Sequence, residues 1–202
     1  MPPSRVEPLP RFLEPMLATS GGVPEGPGWA AEVKWDGLRG QLRHDGRRTT
    51  LRSRNGHDLS SAFPELVAEA GRRLGRETAL LDAEIVCLNA DGRPDFGAVR
   101  ARMHSTKARD GAQQRSRLVV FDVLHVGGRS TRSLAYRARR SLLSDLELHG
   151  GRWNVPAHFV DERRARSGDA GARPRGRRLQ ASRRSVSPRP AQRGVGQAQA
   201  PP

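Results

Sequence analysis

The clearest chemical potential in this 202-residue chain lies in one octet, Glu32-Val33-Lys34-Trp35-Asp36-Gly37-Leu38-Arg39. Lys34 sits between two acids and ahead of a glycine. It stands out because 34 of the 36 basic residues are arginine, and Lys107 is the only other lysine. An amine attacks an electrophile only when neutral, and its ordinary pKa is about 10.4, so a nucleophilic lysine needs burial or a neighbouring cation. Glu32 and Asp36 favour the charged form instead, so the site needs added positive charge when its substrate is bound. Arg39 and Arg54 are forked, permanently charged cations. Glu84 is a carboxylate flanked by apolar Ile85 and Val86, and Phe121 is an aromatic ring in an apolar run. Each also has a plain alternative: a surface Lys–Asp turn, solvated arginines, an edge carboxylate, and a core phenylalanine. Cys87 reads as a small buried residue, and the six histidines show no ligand spacing.

The elements that must position these residues follow from hydrophobic period and turn residues. Trp29 to Trp35 reads as a strand. Leu38–Arg43 and Thr49–Ser53 flank His44-Asp45-Gly46 as a hairpin. Pro64 suits a helix first turn, and Phe63, Leu66, Val67, Ala70 and Leu74 recur at helical spacing, so a helix runs to about Leu74. Ala79–Leu88 and Arg117–His125 are apolar strands, the second central. Leu134 to Leu148 is a second amphipathic helix, and Trp153–Val160 a last strand. Strands and helices mix without βαβ alternation, which predicts an α+β fold with mostly antiparallel sheet.

The formal net charge is +15, which suits a polyanionic partner. A single cysteine excludes an internal disulfide and a multi-cysteine metal site. No apolar run approaches the roughly 20 residues of a membrane span, and the N-terminus lacks the apolar core of a secretory signal. A cytoplasmic protein without membrane partners is expected. The charge is uneven: residues 163–202 hold 11 arginines and one acid, Asp169, with only Leu179, Val186 and Val195 as large aliphatics. Such a segment cannot bury enough apolar surface to offset its ordering entropy. The predicted organisation is a folded region over residues 1–162 and a disordered basic tail over 163–202.

The spacing Lys34-Trp35-Asp36-Gly37-Leu38-Arg39 resembles the nucleotidyltransferase motif of ATP-dependent DNA ligases, and further matches follow in family order. Pro15-Met16-Leu17-Ala18 resembles the segment ahead of the adenylation domain in bacterial ligases. Ser53-Arg54-Asn55-Gly56 resembles the next motif, and Phe63-Pro64-Glu65-Leu66 the opening of the same helix. Leu81-Asp82-Ala83-Glu84-Ile85-Val86 resembles the acidic strand, with Ala83 where glycine is usual. Val120-Phe121-Asp122-Val123-Leu124 resembles the aromatic strand. The resemblance spans roughly residues 8–162 and implies antiparallel sheets flanked by helices. It implies that Lys34 attacks the α-phosphate of ATP to form a phosphoramidate with AMP, with Mg²⁺ neutralising the phosphates. It further implies that Arg39 and Arg54 face the ribose and phosphates, and that Glu84 accepts from the ribose hydroxyl and orients the metal. Phe121 would stack on adenine, with Glu32 beside the adenine edge. The implied partner is nicked double-stranded DNA, acted on by a monomer. RNA ligases and capping-type transferases share the lysine motif, and a noncatalytic basic nucleic-acid-binding protein is the alternative from another class.

The family pattern continues with a Glu-Gly-(Val/Ile)-(Val/Met)-x-Lys strand, a Trp-x-Lys motif and an OB-fold domain, none of which is found in this chain. With suitable codons, residues 175–181 read one base later give Glu-Gly-Val-Val-Cys-Lys, and residues 194–197 likewise give Ala-Trp-Val-Lys. A one-base frameshift near Glu162–Arg163 is therefore expected, leaving a truncated adenylation domain that labels itself weakly or not at all. The coding DNA from codon 155 onward checks this: one shift restores both motifs, and its failure to do so excludes the shift.

Overall fold

A computed structural model describes residues 6–17, 30–104, 115–159 and 179–182. The larger of its two sheets holds β2 (Leu38–Asp45), β3 (Thr49–Ser53), β4 (Thr78–Cys87), β5 (Ser116–Val126) and β6 (Arg129–Ser130) in the order β3-β2-β4-β5-β6. All of these pairings are antiparallel, and β7 (Trp153–Asn154) adds to β5 in parallel. A smaller sheet places β1 (Ala30–Val33) between β8 (His158–Phe159) and β9 (Leu179–Ser182). The α+β class and mainly antiparallel pairing match the sequence expectation.

Strand alternation gives the large sheet two different faces. Leu42, Leu51, Leu81, Ala83, Ile85, Leu118 and Val120 project to one side and form the core with Phe63, Leu66 and Ala70 of α1 (Pro64–Leu74). Helix α1 has the predicted bounds. Pro64 occupies its first turn, where a missing N–H costs nothing. Trp153 is buried against it, its indole N–H donating to the Leu66 carbonyl at 3.2 Å. The other face carries Arg39, Gln41, Asp82 and Glu84, brought side by side by the β2–β4 register Arg39↔Glu84 and Gln41↔Asp82.

Four elements differ from the sequence reading. Helix α2 (Phe96–His104) was not foreseen, because it lacks an apolar stripe. It is held by Val99 and by Arg102, whose guanidinium lies 4.7 Å from the Phe63 ring centroid and pairs with Glu65 at 2.6 Å. The capping bond from the Ala98 N–H to Asp95 Oδ1 at 3.0 Å was its available signal. The stretch read as one strand from Trp153 to Val160 is two short strands in different sheets, parted at Pro156, which cannot donate to a ladder. Helix α3 (Tyr136–Asp145) is shorter than the predicted 134–148. Leu179–Ser182 also forms a strand inside the segment expected to lack structure; its pairing to β1 uses backbone groups and needs no apolar side chains. The rest of 163–202 lies outside the described residues.

Gly37 marks where the small sheet's chain enters the large one. A Cβ there would run into the Ile85 carbonyl oxygen and come within 2.8 Å of Val86 Cγ1. Gly71, in α1, has nothing within 4 Å of its would-be Cβ. Gly37→Ala is expected to destabilise by about 1–3 kcal/mol through overpacking, and Gly71→Ala to stabilise by about 0.5–1 kcal/mol through helix propensity. Urea denaturation of the two variants checks the opposite signs.

Candidate active site

The polar face of the large sheet collects most of the predicted residues, and it does so through a break in register. Asp82 pairs with Asp122 but Ala83 pairs with Val120, so Phe121 has no opposite residue on β4. Such a bulge re-aims side chains that strict alternation would send to opposite faces. The half-buried Phe121 ring consequently lies under the Arg39 guanidinium, 5.6 Å from centroid to Cζ, while Asp122 still faces the same charge.

Arg39 is held from three directions. Its Nε donates to Asp82 Oδ1 at 3.1 Å, its Nη2 to Asp82 Oδ2 at 2.8 Å, and its Nη1 to the Met16 carbonyl at 2.6 Å. The fork-to-fork pairing fixes the guanidinium plane as well as its position. Burial works against the charge of Arg39, but the hydrogen bond and charge of Asp82, with Glu84 and Asp122 nearby, raise its pKa. Asp122 in turn accepts from Arg139 of α3, at 2.9 Å from Nε and 3.2 Å from Nη2.

Glu84 lies across the β2–β4 ladder from Arg39. Burial pushes its carboxyl up to about 7, against the opposing charges of Arg39 and Lys34. Lys34 follows β1 directly and is exposed, close enough to Glu84 to favour its ionised form. The amine therefore stands at the open side of the site. Arg54 is also exposed; its backbone N–H donates to the Arg39 carbonyl at 3.0 Å, fixing the turn after β3 beside β2.

Glu32 stands apart from this group, on β1. It accepts the Tyr136 hydroxyl proton at 2.6 Å and lies 3.9 Å from Arg140 Nη1. Arg140 also donates to the Phe121 carbonyl at 3.1 Å and to the Pro156 carbonyl at 2.5 Å. One buried arginine on α3 thus ties the strand before Lys34 to the bulge that carries Phe121. The structure brings together Lys34, Arg39, Glu84 and Phe121, places Arg54 at their margin, and joins Glu32 to them only through Arg140.

Several participants were given no role from the sequence: Asp82 and Asp122, which occur only as members of quoted motifs, and Arg139, Tyr136, Arg140 and Gln41. Asp82 had a signal, since it lies two residues before Glu84 in an apolar strand and must share its face. The others are set by contacts between elements far apart in the chain.

Residues 15–159 match the family model described as "ATP dependent DNA ligase domain". The chain is 35% identical over 144 residues to the multifunctional non-homologous end joining protein LigD of Mycolicibacterium smegmatis, covering 70% of this chain and 18% of that protein. It is 39% identical over 142 residues to the bifunctional LigD of Bacillus subtilis, covering 66% and 23%. It therefore spans about a fifth of the length of these relatives. Among solved structures, a mycobacterial DNA ligase D complexed with ATP and MES superposes with a TM-score of 0.61 at 34% identity, over 72% of this chain and 46% of that one. The polar sheet face built around Arg39, the lysine motif ahead of it and these matches agree: the chain belongs to the ATP-dependent DNA ligase family and carries its adenylation domain.

Proposed function

We propose that this chain performs the first step of ligation, covalent self-adenylation of Lys34 by ATP. The observation that carries the reading is that Lys34, just after β1, comes close to Glu84 on the polar face of the large sheet, where Arg39 lies over Phe121, all within the family-matched segment. In that step the neutral Nζ of Lys34 attacks the α-phosphorus, a P–N bond forms, the bond to the β-phosphate oxygen breaks, pyrophosphate leaves, and the nitrogen releases one proton to solvent. Such transfers depend on positioning and charge more than on covalent help. Phe121 offers its ring to the adenine, and Arg39 and Arg54 offer cations to the ribose–phosphate side. Glu32, fixed by Tyr136 and Arg140, orients the strand that delivers Lys34. In the whole protein the AMP passes to the 5′-phosphate of nicked DNA, and the 3′-hydroxyl then displaces it.

Among the described residues no group of three or more His, Cys, Asp or Glu side chains gathers to hold a metal. Mg²⁺ needs fewer, since it is commonly held by one or two carboxylates together with substrate phosphates. The donor set fits that mode: Asp82 is committed to Arg39, and Glu84 is the carboxylate that would hold the ion. When bound, Mg²⁺ supplies charge neutralisation at the triphosphate.

Incubation with α-labelled ATP and Mg²⁺ tests the reading. Label is expected on the unaltered chain, none on Lys34→Ala, and none from α-labelled GTP. Substoichiometric label is expected because the sequence lacks the two lysine motifs that the family resemblance implies. Label that persists in Lys34→Ala would overturn the assignment.

The Glu84 carboxyl gives a second test, in stability. Its folded pKa of about 7 lies above the ordinary glutamate value of 4.5, so the folded state holds the proton more tightly. Its contribution is favourable below pH 4.5 and is lost as pH rises through 7. Glu84→Gln, which cannot ionise, is expected to be more stable than the unaltered chain by about 1–3 kcal/mol at pH 8, discounted for partial exposure, and equal to it near pH 4.5. Denaturant titrations at the two pH values check the sign, and the same variant should lose Mg²⁺-dependent labelling.

A further inference from the structure

Residues 6–17 form neither strand nor helix, yet their backbone is tied to the polar face of the large sheet at three places. The Glu7 N–H donates to the Gly128 carbonyl at 2.7 Å, and its carbonyl lies 3.3 Å from His125 Nε2. The Leu13 N–H donates to Gln41 Oε1 at 3.0 Å, and Gln41 Nε2 donates back to the Leu13 carbonyl at 2.6 Å. The Met16 carbonyl accepts from Arg39 Nη1 at 2.6 Å. A segment lying on a sheet face, outside the ladder, still needs partners for its N–H and C=O groups. The Gln41 amide supplies one acceptor and one donor, the pair that a neighbouring strand would offer.

Gln41 is 2% exposed although it lies on the polar face. It and Arg39 are two residues apart on β2, so their side chains leave the sheet in the same direction. The strap fixed at Leu13 by Gln41 therefore presents Met16 to Arg39. Asp82 alone holds one edge of the guanidinium; the Met16 carbonyl supplies the third direction and completes its alignment over Phe121.

We propose that Gln41 is a positioning residue for adenylation: by docking residues 6–17 it fixes Arg39 over the Phe121 ring. This rests on the adenylation reading above, but its geometric half can be measured without catalysis.

The test uses the full chain. Gln41→Leu keeps the buried volume and removes both bonds to Leu13. Leu13→Pro removes the N–H that Gln41 accepts. Hydrogen exchange of residues 6–17 reads docking, single-turnover labelling at varied ATP reads KM and rate separately, and circular dichroism reads folding. In Gln41→Leu the amides of residues 6–17 should exchange about tenfold faster or more. The labelling rate at saturating ATP should fall about tenfold, since a small misplacement of a positioned group is enough, while the thermal transition stays cooperative. The double variant should be no slower than Gln41→Leu, because both changes break one coupling.

Unchanged exchange in Gln41→Leu, or losses that multiply in the double variant, would overturn the proposal. If the unaltered chain takes up no AMP while Gln41→Leu still frees residues 6–17, the adenylation reading fails and the docking role of Gln41 stands. If label and exchange are both unaffected by Gln41→Leu, the docking role fails and the adenylation reading stands.

Discussion

The pairing of Arg39 with Asp82 constrains the whole polar face. Asp82 is nearly fully buried, in the middle of β4, and a carboxylate in that position is tolerable only with a well-aligned counterion. Arg39 meets the need from the facing strand with two parallel hydrogen bonds. The same pairing sets where the guanidinium plane lies, and so which ring can stack under it. Removing either partner would leave a charge stranded in the sheet, so the pair binds the fold and the site to one geometry.

Around this pair the charges form a sequence of decreasing burial. Asp122 is matched by Arg139, the Glu84 carboxyl is pushed up to about 7 by burial, and Lys34 is exposed at the margin. On the adenylation reading, a site that takes a triphosphate gains from cations held in place before the substrate arrives. Fixing Arg39 from three sides prepays the alignment that a free side chain would have to find during the reaction. The bulge at Phe121 serves the same end, because it lets an aromatic and an acid on adjacent residues address one guanidinium.

The helices act through few contacts. Arg140 on α3 reaches the Phe121 carbonyl, the Pro156 carbonyl and the vicinity of Glu32, linking the two sheets on either side of the lysine. Tyr136, one turn earlier, fixes Glu32 from the same helix. Placement of Lys34 thus depends on a helix about a hundred residues further along the chain.

Much of the fold could be read in the residues. Apolar runs marked β4 and β5, and Pro64 with the spacing of Phe63, Leu66 and Ala70 marked α1, because these signals are local and strong. The octet around Lys34 and the ordered motifs after it carried the family, since residue identity and spacing are properties of the chain alone. Helix α2 was hidden because an arginine, not an apolar stripe, seats it. Only the tertiary structure decided that Arg39 is committed to Asp82, that a register shift turns Phe121 beneath it, and that Gln41 and Met16 bind the N-terminal strap. Those facts depend on cross-strand register and on contacts between distant segments, and one residue of register reverses which face a side chain takes.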